Sequence, residues 1–131
     1  MTPAVKALDA SGLSYRLLEY DQDAKAQGEI GLAAARALNL PEQQVFKTLI
    51  AELTSGELVV AIIPVARKLN LKSLARACGA KSVTLAEQML AERATGYLAG
   101  GISPFGQRRR HRTFLAEEAS ELDLIYVSGG K

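Results

Sequence analysis

Val45-Phe46-Lys47-Thr48-Leu49-Ile50-Ala51 and Leu58-Val59-Val60-Ala61-Ile62-Ile63 are two β-rich runs with Thr54-Ser55-Gly56-Glu57 between them. Two such runs joined by a turn-forming quartet predict a β-hairpin. Helical signals follow it. Asn70 is placed to cap a helix through Cys78, with Leu71, Leu74, Ala75 and Cys78 on one face and Gly79 at its end. Lys81-Ser82-Val83 reads as a short extended link, and Thr84 with Glu87 as a capping box for a helix carrying Leu85, Met89 and Leu90.

Upstream, Thr2-Pro3 opens a helix that stops near Ser11-Gly12. Tyr15 to Tyr20 reads as a strand, broken by Asp21-Gln22-Asp23, and Gly31 to Leu38 as an Ala-rich helix ended by Asn39-Leu40-Pro41. Arg112 to Leu115 and Leu124 to Val127 read as closing strands around a short acidic helix. Strands mixed irregularly with helices predict an α/β fold of the α+β type, a mixed sheet with helices packed around it.

The 131 residues fit one domain spanning 1–131. Hydrophobic residues make up 48% but are mostly Ala, Leu and Val, which favours aliphatic packing between helices and sheet. A single cysteine, Cys78, excludes an internal disulfide and suits a reducing compartment. No apolar run approaches the roughly 20 residues of a membrane span, and no leader is visible, so a cytoplasmic protein is expected.

A net charge of +2 does not announce a nucleic-acid binder. The distribution is more informative: Arg108, Arg109, Arg110, His111 and Arg112 form a dense basic run ahead of Glu117, Glu118, Glu121 and Asp123. The run is either a solvated turn or a rim that contacts phosphates.

Gly100-Gly101-Ile102-Ser103-Pro104-Phe105-Gly106 is the most unusual stretch. Paired glycines reach dihedrals closed to other residues and let backbone approach a ligand, while Pro104 stiffens the chain and restricts Ser103. Such a loop is either an ordinary tight turn or a cradle of N–H groups for an oxygen. Lys47 interrupts an apolar strand; it either snorkels to solvent or meets an anion. Cys78 reads as a buried structural thiol and His111 as a surface residue. Tyr20 closes its strand beside Asp21 and Asp23, a carboxylate pair that could equally solvate a turn. One His and one Cys cannot build a Cys/His metal site, and no Walker loop, dinucleotide fingerprint or nucleophile elbow is present. An enzyme of this composition would act by positioning and electrostatics.

Together, Val45-Phe46-Lys47-Thr48-Leu49, Thr95-Gly96-Tyr97-Leu98 running into Gly100 to Gln107, and Ile125-Tyr126-Val127-Ser128-Gly129-Gly130 closely resemble the YbaK family in order and spacing, over essentially the whole chain. These are aminoacyl-tRNA deacylases related to the editing domain of bacterial prolyl-tRNA synthetases. The full Gly-Gly-Ile-Ser-Pro loop is most similar to the Cys-tRNA(Pro) branch. The resemblance implies a barrel-like mixed sheet surrounded by helices. It also implies cleavage in trans of the ester between a mischarged amino acid and tRNA(Pro), beside prolyl-tRNA synthetase, with no metal or cofactor.

Lys47 then matches the family's essential lysine, and Gly100 and Gly101 the loop whose backbone approaches the aminoacyl carbonyl. Tyr20, Ile30, Thr48, Ile102, Ser103, Pro104, Ser128 and Gly129 match the substrate pocket. Arg108, Arg109, Arg110 and Arg112, directly after the loop, become an acceptor-stem rim. In the cysteine-specific branch the substrate's own thiol attacks the ester, which accords with the lack of a protein nucleophile. Two departures stand out: Ile30 replaces an aromatic residue, and relatives continue beyond the Ser-Gly-Gly turn into a further strand and helix. The alternative function is a non-catalytic module that binds tRNA or the synthetase.

Overall fold

The computed structural model describes residues 1–20 and 30–131. Its centre is the predicted hairpin: β1 (Phe46–Leu53) pairs antiparallel with β2 (Leu58–Pro64), Phe46 opposite Pro64 and Glu52 opposite Leu58. The Leu53 N–H donates to the Glu57 carbonyl at 2.8 Å, and Gly56, at φ 94°, closes the turn. Two short strands flank the hairpin. β3 (Val83–Leu85) runs antiparallel to β1, and β4 (Thr113–Leu115) parallel to β2, giving the order β3-β1-β2-β4.

Among the described residues four α-helices surround this sheet: α1 (Pro3–Ser11), α2 (Ile30–Ala37), α3 (Leu71–Cys78) and α4 (Gln88–Thr95). Side-chain alternation splits the strands between two apolar layers. Phe46, Ile50, Val60 and Ile62 pack with Ala4, Ala91, Tyr97 and Ile102. Ala51, Leu53, Val59 and Ala61 pack with Leu74, Ala75, Cys78 and Val83 under α3. The cap of α3 is as read from sequence: Asn70 Oδ1 accepts from the Ser73 N–H at 3.0 Å, and Gly79 takes the left-handed conformation at φ 72°. Cys78 is buried.

Several expectations are corrected. The sheet is open, with β3 and β4 as its edges, so barrel-like is too strong a description. Thr84 does not open a capping box; it lies in β3 opposite Glu52, and α4 starts only after Glu87, which makes no side-chain cap bond. Pairing with β1 outweighs the local helix signal there. Residues 15–20 alternate like a strand but pair with no strand among the described residues. They are held by side chains instead, Tyr15 on Asp9 and Arg16 on the Tyr126 hydroxyl, and Leu17 stays 54% exposed. Of the expected strand from Leu124 to Val127, only a parallel bridge between Tyr126 and Val45 forms. The acidic helix is a 3-10 helix, Glu117–Glu121. Asp21 and Asp23 lie outside the described residues.

Candidate active site

The glycine-proline loop is launched by the end of α4. Thr95, almost fully buried, bonds back to the Ala91 carbonyl at 2.8 Å and accepts the Tyr97 N–H at 3.2 Å. Gly96, at φ 84°, then turns the chain out of the helix. Tyr97, 2% exposed, sinks into the core and donates its hydroxyl to the Phe105 carbonyl at 2.6 Å. Burial raises its pKa, so it stays a donor through the physiological range.

Inside the loop the Gly101 N–H donates to the Leu98 carbonyl at 2.9 Å, with Gly100 at φ 83° in the third position of that turn. A positive φ at that position is what glycine supplies to a type II turn. Gly101 is also a close-approach site, because a Cβ there would fall 2.3 Å from that of Lys131. Its N–H is therefore engaged within the fold, while Gly100 is exposed. Ile102 and Ser103 are buried. Ser103, at 0% exposure, turns its Oγ onto the Phe105 N–H at 3.2 Å, closing the loop around Pro104 rather than facing solvent.

Three distant segments meet at this loop. Gly106, at φ 64°, lies so close to the first turn of α1 that a Cβ would come within 2.4 Å of the Pro3 carbonyl oxygen. Thr2, which caps α1, donates its hydroxyl to the Gly129 carbonyl at 2.6 Å. Gly130 lies on the Tyr97 ring, and the Leu98 N–H donates to the Lys131 carbonyl at 2.9 Å. Ser128 Oγ accepts the Gly130 N–H at 3.1 Å, shaping that turn. The loop, the Ser128-Gly129-Gly130 turn and the start of α1 thus form one clamp centred on Tyr97.

Thr48 faces the same side of the sheet as this clamp's Tyr97. It is 9% exposed, and by alternation it shares the layer of Phe46 and Ile50, where Tyr97 and Ile102 also pack. Its Oγ1 is buried without a hydrogen-bond partner among the described residues. The backbone is equally open there. The Val65 N–H on the Val45 carbonyl and the Leu53 N–H on the Glu57 carbonyl phase the ladder, so even-numbered residues of β1 face the edge away from β2. On that edge Phe46 pairs with Tyr126 and Ile50 with Ala86, and no described strand is registered against residues 47–49. A buried hydroxyl beside an unpaired stretch of strand edge is a site for a polar ligand.

Lys47 occupies the neighbouring position and so the opposite face, with Val45 and Leu49, across from Ile63. It is half-buried, and among the described residues its ammonium makes no hydrogen bond or ion pair. It is next to Thr48 in the strand, with its own backbone turned toward β2. Tyr20 is half-buried at the end of the unpaired segment. Ile30 opens α2, whose Gly31 approaches β2 so closely that a Cβ would meet Val65 Cγ1 at 2.4 Å.

The arginine run divides. The Arg108 N–H donates to the Thr95 carbonyl at 2.9 Å, and its side chain covers Gly96. Arg112 holds Glu57 through two bonds of 2.9 and 3.0 Å, reaches the Cys78 carbonyl at 3.3 Å and lies over the Phe114 ring. That contact lowers the Glu57 pKa and raises that of Arg112. Arg109 and Arg110 are exposed and form no ion pair among the described residues. A cavity of about 320 Å³ opens elsewhere, between the hairpin turn, the end of α3 and Arg112, and is not continuous with the loop. Among the described residues no group of three or more His, Cys, Asp or Glu could hold a metal ion. Sequence patterning marks Thr2 only as the start of a helix and Tyr97 only as part of a motif; a tyrosine three residues before the paired glycines, in an aromatic-poor chain, is the available signal.

Comparison with known proteins bears on the family and the fold. The chain is 36% identical to "Putative Cys-tRNA(Pro)/Cys-tRNA(Cys) deacylase EbsC" of Enterococcus faecalis (strain ATCC 700802 / V583), over 99% of this chain and 78% of that protein. Its fold matches the crystal structure of "hypothetical protein APE2540" with a TM-score of 0.86 at 25% identity, covering 99% of this chain and 83% of the other. A second match, "Crystal structure of a putative trans-editing enzyme for prolyl tRNA synthetase", has a TM-score of 0.80 at 21% identity, covering 98% and 79%, and bears on the fold alone. Residues 30–131, which carry Lys47, Thr48, the glycine-proline loop and the closing turn, match the aminoacyl-tRNA editing domain. The chain belongs to the aminoacyl-tRNA editing domain family.

Proposed function

We propose that this protein is a trans-editing deacylase that cleaves the ester of mischarged tRNA(Pro), with cysteinyl-tRNA(Pro) as its preferred substrate, working beside prolyl-tRNA synthetase. The observation that carries the reading is the buried Thr48 hydroxyl, unpartnered among the described residues, on the sheet face where Tyr97 and Ile102 pack and next in the strand to Lys47. A polar atom held without a partner costs about 1–3 kcal/mol, and a polar ligand there removes that cost.

In this mechanism the Gly100 N–H polarises the aminoacyl carbonyl. Gly101 contributes by letting the loop and the closing turn approach, and Ile102, Ser103 and Pro104 keep the loop in shape. Lys47 places its charge at the adenosine ribose or phosphate, and Thr48, Tyr20, Ile30, Ser128 and Gly129 bound the pocket. For a cysteinyl ester the substrate thiol attacks its own carbonyl: a C–S bond forms, the C–O bond to the ribose breaks, and the thiol proton passes to the ribose oxygen. A four-membered thiolactone and free tRNA result, without a protein nucleophile.

Lys47→Ala is expected to reduce deacylation by about 100-fold or more while the unfolding temperature stays unchanged. A fully active variant would overturn the assignment. Deacylation of Cys-, Ala- and Ser-tRNA(Pro) tests the chemistry, and equal Cys and Ser rates would exclude thiol attack. A second reading, tRNA retention without cleavage, is favoured only by the unpaired Arg109 and Arg110. It predicts salt-sensitive binding and no ester cleavage at any protein concentration.

A further inference from the structure

Gln107 and His111 are the two polar side chains of the basic segment that turn inward. Gln107 Nε2 donates to the Ser103 carbonyl at 3.0 Å, and its Oε1 lies 2.9 Å from His111 Nδ1. A carbonyl only accepts, so the bond to Ser103 orients the Gln107 amide and leaves Oε1 for the imidazole; Nδ1 therefore carries the hydrogen. Both side chains are half-buried. Burial and the neighbouring Arg109 charge hold the His111 pKa below its ordinary value, so the ring is neutral at pH 7.

The segment around them is fixed at both ends. Arg108 is bonded to the Thr95 carbonyl, and Arg112 is paired with Glu57. The Thr113 hydroxyl donates to the His111 carbonyl at 3.1 Å. Arg109 and Arg110, between these anchors, face solvent, while Gln107 and His111 connect back to the loop. Ser103 is the receiving end: fully buried, followed by Pro104, with its own hydroxyl already engaged by Phe105. Without Gln107, the Ser103 carbonyl loses the one side chain among the described residues that holds it from outside the turn.

We infer that His111, through Gln107, positions the Ser103 carbonyl and with it the glycine-proline loop, so that the arginine-bearing strap and the ester-binding loop move as one body. Neither residue touches substrate in this arrangement; both are positioning residues. The inference rests on the deacylase reading for its kinetic consequence but not for its structural one. It also separates two functions within five residues, tRNA affinity at Arg109 and Arg110 and loop geometry at Gln107 and His111.

Single-turnover cleavage of Cys-tRNA(Pro) across a range of protein concentrations, paired with amide hydrogen exchange over residues 100–105, tests it. Gln107→Leu should lower the maximal rate by about 10-fold, since small displacements of a reacting group are costly, with the half-saturating concentration unchanged. Gln107→Glu, which keeps the shape but cannot donate to Ser103, should do the same if the leucine variant folds poorly. His111→Ala should show a smaller loss, and His111→Asn, which can still donate to Gln107, should restore the rate. Exchange at 100–105 should quicken in both Gln107 variants. Unchanged rate and exchange would overturn the relay, as would a rise in half-saturating concentration alone, which would make these residues part of tRNA binding. If the wild-type protein cleaves no ester, the deacylase reading fails, and exchange alone then decides the relay.

Discussion

The hairpin and the clamp around Tyr97 are built on opposite principles. The hairpin is a local object: four residues link its strands, its ladder runs from Phe46 to Pro64, and its buried side chains are mostly aliphatic. The clamp joins residues 2–4, 97–106 and 128–131 through glycine contacts and single hydrogen bonds. Burial of apolar area is forgiving of small displacements, whereas a 2.6 Å bond or a glycine against a carbonyl is not. The difference assigns stability to the hairpin and geometry to the clamp.

The hairpin should therefore break by losing packing. Phe46→Ala removes an aromatic side chain that is 2% exposed, and should cost about 3–5 kcal/mol in denaturant unfolding. The clamp should break by gaining atoms. Gly106→Ala places a methyl against the Pro3 carbonyl at a positive φ, and should cost about 2 kcal/mol from backbone strain and displacement of α1. Its deacylation rate should fall further than its stability; equal losses would mean that the clamp is only structural.

Thr48→Val separates the two regions most sharply. The swap keeps the shape and deletes a hydroxyl that has no partner in the fold. Stability should be unchanged or rise by up to about 1 kcal/mol, while deacylation falls. A variant both stable and fully active would remove Thr48 from the site.

The smallest effect is expected at the outer end of the hairpin, where Arg112 holds Glu57. The Glu57 pKa is lowered in the fold, so the pair contributes above the ordinary carboxylate range, and that contribution is lost as pH falls through the folded value. Glu57→Gln should flatten this small acid dependence of the melting temperature. Because the pair is exposed, 1 M salt should mask the difference.

Legibility followed the same division. The hairpin, the Asn70 cap and the Gly79 stop could be read because the signals for each lie within a few residues. The capping box at Thr84 and the strand at 15–20 were misread because local signals for helix and strand were decided by whether a sheet partner was in reach. The candidate residues divided too. Lys47, Thr48 and the loop were visible as motifs. That Lys47 and Thr48 lie on opposite faces follows from strand alternation, but that the edge beside them is open depends on where Tyr126 and Ala86 stop pairing.

By itself, the sequence determined the class of the fold, its central hairpin and the family whose motifs it carries, because short-range patterning and residue identity suffice for these. Only the tertiary structure decided what the glycine-proline loop rests on. Gly101 answers to Lys131, Gly106 to Pro3, and Ser103 to Gln107, and through it to His111. The first two of those partners lie tens to about a hundred residues away along the chain, and no local pattern announces a contact made by close approach. Arg112, read as part of a rim, proved to be committed to Glu57 for the same reason: a charge run has a composition, but its partners are chosen by the fold.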